Sequence, residues 1–292
     1  MSKDYGKVTR KPSWLKIKLH ENSEFAEIAA LVKENNLHTI CSSGKCPNQA
    51  ECWSRRTATF MILGDICTRS CKFCATATGK PLPVDPSEAR KVANSIKVMG
   101  LRHCVITSVD RDVLPDGGAN AWAETVRTIR EVNPDVTIEV LLPDFDNKPE
   151  LIDIVLESKP DIVGHNIETV KRLTPQVRSR AQYDRSLEVL AYVASKGFAA
   201  KSGIMVGLGE TDEEIYETLA DLHKANCSIV TLGQYLRPTM KHWVVDRYVH
   251  PDTFAEYKRR ALEIGIKYVE SAPLVRSSYM ADRAACGLKH NK

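Results

Sequence analysis

Between residues 57 and 270 the sequence alternates six times between a short β-branched run and an amphipathic helical stretch. "TFMILG" (59–64) reads as a strand, and "DPSEARKVANSIKVMG" (85–100) as a helix with Pro86 in its first turn and Gly100 at its stop. The pairs continue with "CVITSV" and "ANAWAETVRTIREV", "VTIEVLL" and "KPELIDIVLES", and "DIVGHNI" and "YDRSLEVLAYVASKG", whose helix ends at Gly197. "AAKSGIMVG" precedes "TDEEIYETLADLHKA", with Thr211 or Asp212 as cap, and "IVTLGQYL" precedes "DTFAEYKRRALEIG". Strands separated by helices pair in parallel, so the chain folds as an α/β protein. Six units suit an open doubly wound sheet or an incomplete TIM-like barrel, and both place function at the C-terminal ends of the strands. Polar clusters fall at those ends: "SVDRD", "PDFD", "HNIET" and "GLGETDE".

The chain of 292 residues is 43% hydrophobic and 27% charged, an ordinary balance for a globular protein with a sizeable core. No apolar run approaches ~18 residues, so no membrane span is expected. The N-terminal stretch has neither the apolar core nor the cleavage site of a secretory signal, so a cytoplasmic location is expected. That stretch is basic: Lys3, Lys7, Arg10, Lys11, Lys16 and Lys18 face only Asp4. It reads as a solvated tail rather than a nucleic-acid arm, because a net charge of +4 is too mild to require nucleic acid. It suits an acidic protein partner.

Nine cysteines are many for a chain of this kind, and six lie between Cys41 and Cys74 in two groups of three. Reducing compartments disfavour disulfides, so the clustering points to metal. Cys67, Cys71 and Cys74 form C-x3-C-x2-C in "DICTRSCKFC", three residues after the first strand, with Phe73 before the last cysteine. At ~3% cysteine, chance supplies such a pattern roughly 0.01 times in a chain of this length. Thiolates suit zinc or iron–sulfur clusters. Zinc needs a fourth ligand borrowed from elsewhere. A four-iron cluster held by three thiolates leaves one iron open to a small molecule.

This motif, on the loop after the first strand of a βα series, resembles the radical S-adenosylmethionine (SAM) superfamily. The resemblance implies a partial (βα)6 TIM-like barrel with N-terminal and C-terminal extensions, and SAM chelating the open iron. A reduced cluster then passes an electron to the sulfonium, and the 5′-deoxyadenosyl radical that forms takes hydrogen from an unactivated C–H bond. A second triad, Cys41, Cys46 and Cys52, narrows the family. "CPNQAECWSRRTATFMILGDICTRSCKFC", "TSVDRDVLPDGGA", "IEVLLPDF", "HNIETV", "VRSRAQYDRSL", "KSGIMVGLGET" and "RSSY" (276–279) closely resemble the lipoyl synthase family, from about Lys11 to Gly287. The chain departs at Met280, where that family commonly has histidine.

The resemblance implies that the second triad, with Ser278 (or Ser277) as fourth ligand, holds an auxiliary four-iron cluster. On residues alone, Ser277–Ser278 reads as a turn bonded to its own backbone. The implied reaction inserts two sulfur atoms, at C6 and C8 of a protein-bound octanoyl-lysine, with the auxiliary cluster as donor. Implied partners are octanoylated lipoyl carrier proteins (lipoyl domains, the glycine cleavage H protein), an electron donor such as flavodoxin or ferredoxin, and an iron–sulfur carrier. Neither nucleic acid nor membrane is implied. The expected organisation is an N-terminal extension over 1–56 with auxiliary ligands, the barrel over 57–270, and a C-terminal extension over 271–292. A monomer is expected. The alternatives are a methylthiotransferase-like radical SAM enzyme, for whose usual RNA-binding domain no residues remain, and a zinc interaction module.

Other residues carry further expectations. Asn166 and Glu168 match positions that hold the SAM ribose diol, helix capping being the other role for both. Ser108 is expected at the SAM amino group, and Arg178 at its carboxylate, with Arg180 and Arg185 as competitors. "GIMVGLGE" (203–210) contacts SAM or is a plain tight turn; its spacing fits no dinucleotide fingerprint. Asp110, Arg111 and Asp112 read as a catalytic set or a surface salt-bridge set. Cys104 and Cys227 read as small buried hydrophobes, and Cys286 as a non-ligand. His38 reads as a helix-end histidine, with auxiliary ligation as the other choice. Lys and Arg at the barrel mouth are expected to steer acidic carriers.

Overall fold

Seven strands run parallel in one sheet, in the order in which the chain makes them. The computed structural model describes residues 10–16, 23–34, 38–43, 46–54, 57–279 and 281. Three helices, α1 (Ser23–Glu34), α2 (Ile40–Ser43) and α3 (Gln49–Ser54), precede β1 (Thr59–Ile62). Two short strands, β2 (Ile66–Cys67) and β3 (Ala77–Thr78), pair only with each other. The repeat follows: α4 (Glu88–Val98), β4 (His103–Ser108), α5 (Ala119–Val132), β5 (Thr137–Leu141), α6 (Pro149–Leu156), β6 (Ile162–Gly164), α7 (Thr174–Val177), α8 (Tyr183–Ser195), β7 (Ala199–Val206), α9 (Asp212–Lys224), β8 (Ile229–Gln234), α10 (Pro251–Glu263) and β9 (Tyr268–Ser271).

The sheet order β1-β4-β5-β6-β7-β8-β9 never reverses, so the sheet is singly wound. A doubly wound sheet needs a reversal to place helices on both faces. Here the face away from the helices curves round one cavity that touches β1, β4, β5, β7 and β8 and the loop after β6. That geometry is an incomplete barrel, open between β1 and β9. All six expected strands and their helices are present. β9 was not expected, because an edge strand half open to water carries no continuous apolar run; only Val269 of "YVES" is buried.

Local chemistry sets the element ends. Thr211 and Glu214 form a reciprocal capping box at α9. Gly100 and Gly197 take φ of +59° and +83° just past α4 and α8. α4 starts at Glu88, after Pro86 rather than around it. Asp85 captures the Ser87 amide and hydroxyl at 2.8 and 2.6 Å, and that turn delays the helix. The described N-terminal extension is helical and packed: Phe25 stacks on Trp53 at 5.3 Å, and Ile28, Val32 and Trp53 join the core. The basic stretch is not simply a solvated tail. Trp14 meets the His250 ring edge-on at 4.9 Å, Leu15 is buried, and Lys11 reaches the central cavity. Residues 1–9 lie outside the described residues. No helix among the described residues is long and apolar enough to cross a membrane.

Candidate active site

One cavity of about 530 Å³ opens at the C-terminal ends of the strands. Cys67, Cys71 and Cys74 line it, as do Phe73, Ser108, Asn166, Glu168 and Arg178. Residues more than a hundred positions apart thus share one wall. Ile40 and Pro47, next to Cys41 and Cys46, line it too, with Arg276 and Ser277.

The Cys67–Cys74 loop hangs from a buried ion cluster. Arg69, with a side chain 5% exposed, donates to both oxygens of Asp112 and of Asp144, and its Nη1 lies 3.5 Å from Asp110. Burial opposes these charges, but the Arg69 hydrogen bonds and charge hold Asp144 down to about 2. Arg111 is buried as well, donating to the Leu63 and Leu82 carbonyls at 2.8 and 2.9 Å. "DRD" is therefore no surface salt-bridge set. It is the buried anchor of the cysteine loop, and the arginine inside "CTRSC" was its sequence signal.

The amides of Arg69 and Asp110 point at the Cys67 sulfur from 3.4 and 3.3 Å. Cys71 lies 3.5 Å from the Ser179 hydroxyl, and the Cys74 amide donates to the Cys71 carbonyl at 3.1 Å. Burial, with the Asp110 charge beside it, pushes the Cys67 thiol up to about 11. Such a thiol ionises at neutral pH only with a cation on its sulfur. Three sulfurs on one wall, one already receiving amide hydrogens, fit an iron–sulfur cluster. Among the described residues no three His, Cys, Asp or Glu side chains converge on a single ion.

Across the cavity, Glu168 takes φ +69° and bridges to Ile204, its amide donating to the Gly203 carbonyl at 3.0 Å. Gly203 has no room for a side chain, since a Cβ would come 2.9 Å from Asn166 Oδ1. The next helix starts at Thr174 with Leu173 as its cap, so neither Asn166 nor Glu168 caps a helix. Their side chains face the cavity as a pair. Of the three arginines, Arg178 lines the cavity, Arg180 is exposed and pairs with Asp146, and Arg185 is exposed on α8. Arg178 Nη1 donates to the Asn166 carbonyl and, at 3.0 Å, to Ser186 Oγ, while its buried Nε has no partner. Ser186 lies 3.0 Å from His165 Nε2, whose Nδ1 is 3.0 Å from the Leu142 carbonyl. The carbonyl only accepts, so Nδ1 carries the proton and Nε2 accepts from Ser186. Burial and the Arg178 charge hold this imidazole neutral, with a pKa lowered to about 4. Sequence reasoning passed over His165 and Ser186; their signal was a histidine at a strand end.

The other triad sits beside the cavity-lining residues Ile40 and Pro47. Cys41 is buried in α2, the Cys46 amide donates to the Cys41 carbonyl at 2.9 Å, and Cys52 sits in α3. The C-terminal turn closes on this segment: Asn48 donates to the Leu274 carbonyl at 2.6 Å, and Tyr279 to Glu51 at 3.1 Å. Arg276, half-buried on the cavity wall, stands close enough for its charge to act on Cys46. Ser277 lines the cavity, and Ser278 follows it in the same turn. A cation beside Cys46 and a turn carrying two hydroxyls fit an anionic, thiolate-bound group.

Of "GIMVGLGE", Gly203–Met205 line the cavity, while Gly207–Glu210 form a closed turn whose amides are taken by the Glu210 carboxylate. Cys104 and Cys227 are buried as expected, and burial pushes Cys227 up to about 12. His38 is not in a helical last turn; its carbonyl accepts from Met61 beside β1. Cys286 lies outside the described residues.

A sequence profile of the Radical SAM superfamily matches residues 61–222. Lipoyl synthase of Parabacteroides distasonis is 57% identical over 274 residues, covering 94% of this chain and 98% of that protein. Lipoyl synthase of Bacteroides fragilis is 58% identical over 277 residues, covering 95% and 96%. Among solved structures, methylornithine synthase (PylB) superposes with a TM-score of 0.57 at 13% identity, covering 88% of this chain and 87% of that one. Streptococcus suis SuiB bound to the precursor peptide SuiA gives 0.59 at 12%, covering 85% and 52%. The structural likeness establishes the fold and the sequence identity the family: the chain belongs to the lipoyl synthase family of the radical SAM superfamily.

Proposed function

We propose that this chain inserts sulfur at C6 and C8 of an octanoyl chain carried on a lysine of a lipoyl carrier protein. The observation that carries the proposal is one cavity lined by Cys67, Cys71 and Cys74 together with Ile40 and Pro47, the neighbours of Cys41 and Cys46, and Ser277 of the C-terminal turn. An acyl chain between them meets both a radical source and a sulfur source.

A four-iron cluster on Cys67, Cys71 and Cys74 supplies the electron that cleaves SAM. The chain's own residues orient the substrate. Arg178 offers its unpartnered Nε to the SAM carboxylate, Asn166 and Glu168 accept the ribose hydroxyls, Ser108 meets the amino group, and Phe73 packs beside them. Buried walls keep water from a carbon radical. Cys41, Cys46, Cys52 and Ser278 hold the second cluster, which is the sulfur donor and so a substrate. A serine oxygen is a harder ligand than thiolate and suits the cluster less well, so it detaches first. Lys11 and Arg237 at the mouth attract acidic carriers, and faster association at low salt tests that role. Reduction falls to a donor such as flavodoxin or ferredoxin, and rebuilding to an iron–sulfur carrier.

The test is anaerobic incubation with an octanoyl-lysine peptide, SAM and reductant. The expected yield is at most one dihydrolipoyl product per chain, with two SAM cleaved for each. Many products per chain without an added sulfur source would sink the donor assignment. A methylthiotransferase-like reaction would leave the peptide unchanged.

A further inference from the structure

The segment after β8 leaves the barrel, crosses the cysteine loop and returns to α10. It grips that loop at two backbone atoms. His242 Nε2 lies 2.9 Å from the Cys74 carbonyl, and the Trp243 amide donates to the Lys72 carbonyl at 2.8 Å. A carbonyl only accepts, so Nε2 carries the proton. Nδ1 then accepts from the Thr239 hydroxyl, 2.8 Å away. The histidine's own carbonyl accepts from Arg237 Nε at 2.9 Å. Trp243 extends the grip: its indole donates to the Leu208 carbonyl at 2.9 Å, its carbonyl accepts from Tyr235 at 2.8 Å, and the Lys72 ammonium sits 5.2 Å from its ring centre.

The contact at Cys74 falls where the cysteine loop has least other support. Its first half is fixed by Arg69 and the three aspartates. Its second half holds Phe73, Cys74, Ala75 and Thr76, all on the cavity wall. Rotation of the peptide after Cys74 would swing Phe73 and Thr76 across the space beside the cysteines. The carbonyl held by His242 belongs to that peptide.

We propose that His242 is a positioning residue for SAM binding. It fixes the Cys74 peptide and, through Trp243, keeps the Leu208 turn and the cysteine loop in one register. The inference rests on the reading that Cys67, Cys71 and Cys74 hold the SAM-binding cluster.

The experiment compares the full chain, prepared anaerobically with its clusters, with His242→Leu and His242→Gln. Three quantities are read: iron per chain, the SAM dissociation constant by equilibrium dialysis, and the change SAM makes in the electron paramagnetic resonance of the reduced protein. The Leu variant is expected to keep its iron, bind SAM about five- to tenfold more weakly and lose most of the spectral change, the effect of one hydrogen bond. Gln, whose side-chain amide can donate to the same carbonyl, should recover to within about twofold. The proposal is overturned if the Leu variant matches the parent, if Leu and Gln are equally impaired, or if the Leu variant loses iron, which would make His242 a support for the cluster itself. A parent chain whose spectrum ignores SAM would instead overturn the reading of the cysteine loop.

Discussion

The two cysteine triads are built in opposite ways. The Cys67–Cys74 loop is tied to the rest of the barrel at point after point: Thr68 to Asp110, Arg69 to Asp112 and Asp144, Ser70 to Ser179, Lys72 to Val177 and Cys74 to His242. Among the described residues, the Cys41–Cys52 segment carries local bonds, Cys46 to Cys41, Gln49 to Cys46 and Cys52 to Asn48, and joins the core through Cys41. Its ties to distant chain include Asn48 to Leu274 and Tyr279 to Glu51, both in the C-terminal turn. A loop braced by four βα connections keeps its geometry from one turnover to the next. The second segment lies outside the βα repeat, so rearrangement of its returning turn leaves the strand order of the barrel intact. That division matches the proposed roles, one cluster reused and the other consumed.

The sharpest way to break the comparison is to remove one sulfur from each side. Cys74→Ala should abolish 5′-deoxyadenosine formation and remove about four irons per chain. Cys46→Ala should remove as many irons, keep SAM cleavage and lose sulfur insertion. If both variants lose SAM cleavage, the two sites are not separable. Next in size is Arg69→Met, which leaves buried carboxylates unpaired. It should cost about 3–5 kcal/mol of unfolding free energy in urea titration and disturb the first site only.

Gly233→Ala probes the opposite side. A Cβ there would come 2.0 Å from the Val275 carbonyl, so the turn carrying Ser277 and Ser278 must move. The expected cost is about 1–3 kcal/mol, with loss of auxiliary iron and retention of SAM cleavage. The smallest effect concerns His165. Its folded pKa of about 4 lies below the ordinary 6.5, so its contribution is complete above pH 6.5 and is lost as pH falls toward 4. Between pH 7.5 and 5.5 the parent should lose about 1 kcal/mol more stability than His165→Gln, read from urea midpoints. An equal loss would mean that the His165 imidazole takes up its proton in the fold as readily as in the unfolded chain.

Much of this was legible before any coordinates. Six strands, their helices, a cap at Thr211 or Asp212 and the cysteine loop after β1 follow from periodicity, turn residues and spacing. All five side chains expected around SAM line a single cavity, because a parallel barrel delivers every strand end to the same rim. What stayed hidden has a common cause. Arg69, Asp144, Ser186 and His242 act through partners 8 to 168 positions away. A residue's own surroundings in the chain can mark it, as in CTRSC and PDFD, but they do not name a partner so far away. The packing of Trp14 on His250 was hidden for the same reason, whereas the edge strand β9 was hidden by its lack of an apolar run.

The sequence by itself determined the grouping of six cysteines in two triads, the parallel α/β architecture and the family, since these rest on residue type, spacing and periodicity along the chain. Only the tertiary structure decided that the sheet is singly wound, that Arg178 rather than Arg180 or Arg185 faces the cavity, and that Ile40 and Pro47, beside Cys41 and Cys46, line the same cavity as Cys67, Cys71 and Cys74. Those choices depend on which side chains meet across space, where burial and hydrogen-bond geometry select among groups that are equivalent in one dimension.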